Sequence, residues 1–183
     1  RSLTGWSSHT AGSGTPLKIA LIRPNLGNYR STDAMPPLAM GILAARAKDH
    51  TVVFFDEKVE VIPDALDVDL VALSVETFTA HRGYQLADHF RQQGKLVVMG
   101  GYHPTFLPDE ALQHADAIVT GDAEGAWEAL LTDAAKGSLR PIYAGDNKTA
   151  LSIYLVYRSI FAGKSYAPIK LIQYGRGCRF ACD

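Results

Sequence analysis

The sequence predicts an α/β fold, a flavodoxin-like (Rossmann-like) doubly wound parallel sheet of five strands in the order 2-1-3-4-5, followed by a C-terminal extension. Three observations carry this expectation. Short apolar runs alternate with amphipathic stretches from Leu17 to Gly137. The runs are nearly continuous rather than alternating, as in strands covered on both faces. Each run ends in a short loop rich in Gly, Pro, Asn or Asp, and in a parallel sheet those loops gather at one edge.

The first strand is Leu17 to Arg23. A loop from Pro24 to Pro37 follows, and Pro36-Pro37 presets φ for a helix over 38–48 with Leu38, Gly41, Ile42 and Ala45 on one face. Thr51 to Phe55 is the second strand, and the weakly patterned link to Asp69 leaves room for little more than a turn of helix. Leu70 to Val75 is the third. A helix over about 80–93 places Gly83, Leu86, Ala87 and Phe90 on one stripe, and Gly94 ends it. The fourth strand, Leu96 to Met99, runs into Gly100-Gly101. A short helix near 108–114, a fifth strand at Ala117 to Thr120 and a helix over about 124–136 complete the alternation. Beyond Leu139 the pattern changes: Pro141 to Lys148 reads as a linker, 151–157 as strand or helix, and Lys170 to Tyr174 as one more strand. The domains are therefore a tail over 1–16, a doubly wound domain over 17–138, and a linker with the start of another unit over 139–183.

Composition excludes several function classes. The chain has 183 residues, 47% hydrophobic and 20% charged, with a formal net charge of -1. That balance offers no footing for nucleic acid or an anionic membrane surface. No apolar run is long enough to span a bilayer. The Ser/Thr/Gly-rich first residues lack the build of a signal peptide, so the expected location is cytoplasmic. With two cysteines, Cys178 and Cys182, there is no disulfide framework.

The candidate site lies in the loops at the carboxyl edge. Gly100-Gly101 allows close backbone approach to a ligand, or forms a tight turn. Ser74 closes the third strand, where its hydroxyl bonds a ligand or a neighbouring backbone group. Glu76 in the next loop faces solvent or meets a ligand donor, with Thr77 beside it. Gly121-Asp122-Ala123-Glu124 follows the fifth strand, and its acids also suit a helix start. His81 and His103 stand in no spacing that names a metal site. There is no Gly-x-Ser-x-Gly elbow, no Walker loop and no Gly-x-Gly-x-x-Gly after the first strand. A Ser/Thr-rich loop for flavin phosphate is also missing there. Cys178-x-x-x-Cys182 follows an apolar stretch and Arg176-Gly177, a setting that suits thiolate ligands in a reduced compartment.

Taken together, these residues resemble the N-terminal part of cobalamin-dependent radical S-adenosylmethionine (SAM) enzymes, over about 17–183. The matching motifs are Pro36-Pro37, Asp69 to Ser74 as D-x-V-x-x-S, Gly100-Gly101-Tyr102-His103-Pro104, and Gly121-Asp122-Ala123-Glu124. The resemblance implies that cobalamin binds the edge loops. Its nucleotide tail would enter near Ser74, Gly100 and Gly101, with Leu26 or Tyr102 packing on the corrin. Asn25, Glu76 and Thr77 would meet its amide arms, with His103, Gly121 and Glu124 in the surrounding motifs. It further implies that Cys178 and Cys182 begin a C-x3-C-x2-C motif for a 4Fe-4S cluster that binds SAM. The third cysteine would stand two residues past Asp183, so this fragment is expected to be inactive alone and to partner a radical SAM barrel in the full-length protein. No His stands in the loop 24–37, so the lower cobalt face is expected to lack the usual protein imidazole. The competing expectation is a flavodoxin-like domain that has lost cobalamin and serves as a structural or partner-binding module.

Overall fold

The structure, a computed structural model, describes residues 15–27, 29–145 and 155–176. Six parallel strands form one sheet in the order β2-β1-β3-β4-β5-β6. They are β1 Lys18–Arg23, β2 Thr51–Asp56, β3 Leu70–Ser74, β4 Leu96–Gly100, β5 Ala117–Thr120 and β6 Ile142–Ala144. The first five fall in the order the sequence predicts. The sixth corrects the expected count of five: part of the supposed linker pairs with β5, Val119 opposite Tyr143. Tyr143 is buried between two exposed neighbours, the alternation of an edge strand rather than a central one.

Side-chain alternation divides the core in two. On one face Leu21, Ala72, Val98 and Val119 pack under α1 (Leu38–Arg46) and, past the short helices, α5 (Trp127–Ala135). Trp127 is buried and its indole N–H donates to the Leu43 carbonyl at 3.0 Å, tying α5 to α1. On the other face Val71, Leu73, Val97 and Met99 meet Leu86, Ala87 and Phe90 of α2 (Ala80–Gln92). Burying a side chain such as Phe90 contributes roughly 2–3 kcal/mol. Gly83 lets α2 lie close to β3, because a Cβ there would stand 2.9 Å from Val75 Cγ2.

Two short helices, α3 (Tyr102–Phe106) and α4 (Pro108–Ala111), follow β4. The sequence predicts only the second. Pro104 is compatible with α3 because it lies in the first turn, where its missing N–H is not needed. The link between β2 and β3 contains turns and no helix. Lys170 to Tyr174, expected as a strand, has no regular structure and pairs with no strand among the described residues. Extended propensity there finds no neighbouring edge to complete it.

Candidate functional site

The carboxyl edge is built loop by loop from internal hydrogen bonds. After β1, Asn25 is 2% exposed. Its amide donates to the carbonyls of Gly27 at 3.0 Å and Tyr29 at 2.7 Å, and its own N–H donates to Glu57 Oε2 at 3.0 Å. Glu57 in turn accepts from Arg82 of α2, Nη2 to Oε1 at 2.6 Å. Asn25 therefore shapes the loop from inside, and the loop presents Leu26 and Tyr29, each about three-fifths exposed.

After β3, Ser74 stands opposite Gly100 in register. The Thr79 hydroxyl accepts the Glu76 N–H and donates to the Glu76 carbonyl, both at 3.1 Å. This closes a 3₁₀ turn over Thr77–Thr79 that leaves Thr77 and Phe78 exposed.

The two glycines after β4 serve different ends. Gly101 has φ +106°, and a Cβ on it would lie 2.6 Å from the Val75 carbonyl oxygen. It is glycine because the backbone of the β3 loop lies against it. Gly100 has no such constraint: a Cβ there meets only Val119, at 3.7 Å. Its missing side chain leaves room beside Ser74. Tyr102 and Phe106 project outward with rings stacked at 6.4 Å. His103 turns the other way. It is buried against α2 and α4, with Nε2 2.8 Å from the Tyr84 hydroxyl, which donates to Glu110 at 2.9 Å. Burial, and the Glu110 carboxylate second, hold the Tyr84 phenol protonated well above its usual range.

After β5, Gly121 takes φ +71° and donates its N–H to Thr105 Oγ1 at 3.0 Å; that hydroxyl donates to the Gly101 carbonyl at 2.8 Å. Thr105, which the sequence reading passed over, thus joins the β4 and β5 loops. Its signal was its place four residues after Gly101, the spacing at which a Thr hydroxyl reaches back to a carbonyl. Glu124 is buried and Asp122 half-buried, and both pair with Arg176, Asp122 at 3.2 Å.

At this edge Ser74 and Gly100 pair in register, and the loops expose Leu26, Tyr29, Phe78 and Tyr102. A cavity of about 410 Å³ opens between Leu26 and Gly27 of the β1 loop and Phe78, His81, Arg82 and Gln85. It sits where the chain reverses its direction of winding, between β1 and β3, the usual ligand position in open α/β sheets. Cys178 and Cys182 lie outside the described residues. Among the described residues, no group of three or more His, Cys, Asp or Glu could hold a metal ion, and no helix is long and apolar enough to cross a membrane.

The chain is 31% identical over 177 residues to bacteriochlorophyllide d C-12(1)-methyltransferase of Chlorobaculum tepidum, covering 91% of this chain and 39% of that protein. It is 40% identical over 108 residues to bacteriochlorophyllide d C-8(2)-methyltransferase of the same organism, covering 58% of this chain and 24% of that protein. An uncharacterised methyltransferase of Pyrococcus horikoshii is 28% identical over 116 residues, 56% of this chain and 25% of that one. The chain thus spans about two-fifths of the first relative's length and about a quarter of the others'. Residues 31–131, which include the loops after β3, β4 and β5, match the family described as the B12 binding domain. The chain belongs to the B12-binding domain family.

Proposed function

We propose that this chain is the cobalamin-holding module of a radical SAM methyltransferase. The observation that carries the reading is the pairing of Ser74 with Gly100 at the carboxyl edge, inside the segment that matches the B12 binding domain. The corrin would lie on Leu26, Phe78 and Tyr102. Its nucleotide arm would descend past Ser74 and Gly100, with Thr77 and Glu76 at the rim to meet amide arms. Asn25, Gly101, Gly121 and Thr105 act one step behind, holding the loops that make the contacts. In this reading cobalamin supplies the methyl group, and the residues named here hold and orient it.

Methyl transfer is preferred to a ring-forming reaction because all three relatives carry methyltransferase names. The radical SAM barrel, with its 4Fe-4S cluster and SAM, rests on the Cys178 and Cys182 spacing and on the resemblance of Arg176-Gly177-Cys178 to the opening of that barrel. A second reading, a domain that keeps the fold without cobalamin, draws on the buried, internally bonded state of Asn25 and His103.

Two experiments test the proposal. Mixing the chain with hydroxocobalamin and desalting should leave bound cobalamin; complete loss at high micromolar concentration supports the second reading. Extending the chain past the next cysteine and reconstituting with iron and sulfide should give a 4Fe-4S cluster; no iron uptake would remove the radical SAM assignment while leaving cobalamin binding intact.

A further inference from the structure

We infer that residues 167–176 form a strap across the cobalamin crevice, latched by Arg176 on the acid pair after β5. This rests on the proposed cobalamin site. One end of the strap is fixed at the β2 side. The Tyr166 hydroxyl donates to Asp56 at 2.8 Å, and the Ala167 N–H donates to the Ala34 carbonyl at 2.9 Å. Asp56 closes β2 and Ala34 precedes α1, so both anchors lie at the carboxyl edge. The other end is fixed at the β5 side, where the Arg176 guanidinium reaches buried Glu124 and, at 3.2 Å, Asp122. Gln173 steadies the same guanidinium at 3.3 Å.

Between those anchors lie β1, β3 and β4. Four inter-strand steps at about 4.8 Å make roughly 19 Å. Nine residues span at most about 30 Å. The shortest course between the anchors, which leaves about 11 Å of slack, runs past the β3 and β4 ends where Ser74 and Gly100 stand. The strap buries little of itself: Ile172 is 85% exposed and Tyr174 fully exposed. It is held at its two ends and, between them, by Arg158, whose guanidinium donates to the Leu171 carbonyl at 2.7 Å.

The latch is also wired to the floor of the crevice. Glu124 sits in the 3₁₀ turn over Ala123–Gly125, just after Gly121. Gly121 bonds Thr105, Thr105 bonds Gly101, and Gly101 lies on Val75. Glu124 thus has a role that the cofactor-contact expectation did not give it. It is a positioning residue whose buried carboxylate is matched by a cation from the strap. In the proposal, cobalamin enters when Arg176 leaves the acid pair and is retained when it returns.

The test uses the chain in two variants, Arg176→Gln, which leaves the core untouched, and Glu124→Gln, which keeps the shape of the buried group. Trypsin cleavage after Lys170, which needs the strap to lift from its anchors, should quicken about tenfold in both, a figure reduced from that of a fully buried pair because the guanidinium is partly exposed. Stopped-flow association of hydroxocobalamin should quicken, and its release should quicken more, so that net affinity falls. Unchanged cleavage in both variants would show that the latch does not hold the strap. Faster cleavage with unchanged association and release would show that the strap does not gate the crevice. If the unmodified chain binds no cobalamin, the proposed function fails, while the cleavage arm still decides whether Arg176 is a latch.

Discussion

Alanine at Gly101 and alanine at Gly100 should fail in different assays, though the two positions are adjacent. At Gly101 the backbone has φ +106° and ψ -173°, a region that is essentially glycine-only and costs another residue about 1–3 kcal/mol. The new Cβ would also stand 2.6 Å from the Val75 carbonyl oxygen and 3.1 Å from its nitrogen. Relief requires moving the β3 loop, whose Val75 carbonyl accepts the His103 N–H at 3.2 Å. Overpacking of this kind adds about 1–3 kcal/mol. The sum is about 4 kcal/mol. With about 2.1 cal/mol/K of unfolding entropy per residue over roughly 130 residues, that lowers Tm by about 15 °C. At Gly100 the backbone φ is not positive, and the new Cβ makes ordinary contact with Val119 at 3.7 Å. The loss of unfolded-state freedom then offsets any crowding, and stability should rise by up to about 1 kcal/mol. Gly100→Ala should instead weaken cobalamin binding, and Gly100→Val should weaken it further, because each adds bulk beside Ser74. Thermal unfolding followed by circular dichroism and a cobalamin titration separate the two. A Gly101→Ala variant melting within about 3 °C of the parent would refute the close approach of the loops. A Gly100→Val variant with parental affinity would refute the path of the nucleotide arm.

Other outcomes follow from the same contacts. The His50 Nδ1 accepts the Leu17 N–H at 3.0 Å, and burial lowers its pKa. The folded pKa lies below the unfolded one, so this contribution is complete above about pH 6.5 and is lost as pH falls through the folded value; His50→Gln should flatten the Tm decline between pH 7 and 5, and an unchanged slope would contradict it. Thr105→Val removes two hydrogen bonds between the β4 and β5 loops, and should cost about 1–2 kcal/mol in denaturant unfolding. Reduced to cob(II)alamin on the protein, the cobalt should show no nitrogen superhyperfine triplet in its EPR spectrum; a triplet that vanishes in His81→Ala would instead put the cavity's histidine on the metal.

The strands were legible because burial on both faces writes an apolar run with little ambiguity, as in Ile19 to Ile22. β6 was not, since a three-residue edge strand with one buried residue, Tyr143, looks like linker. Lys170 to Tyr174 shows the converse: its Leu, Ile and Tyr suit a strand, but a strand needs a partner edge, which composition cannot supply. At the site, residue type announced chemistry but not direction. His103 and Gly100 are three positions apart and belong to opposite faces, one inside the α2–α4 packing and one at the crevice. Glu124 was legible as an acid at a helix start, yet its partner lies 52 positions away in Arg176. Thr105 carried only a weak local signal.

An equilibrium titration of the chain with hydroxocobalamin, read by its visible spectrum, reaches the core of the account. Saturation at one cobalamin per chain, with the absorption of a corrinoid whose benzimidazole has left cobalt, is the predicted result. A spectrum identical to free, base-on cobalamin at every protein concentration, with nothing retained after desalting, would contradict it.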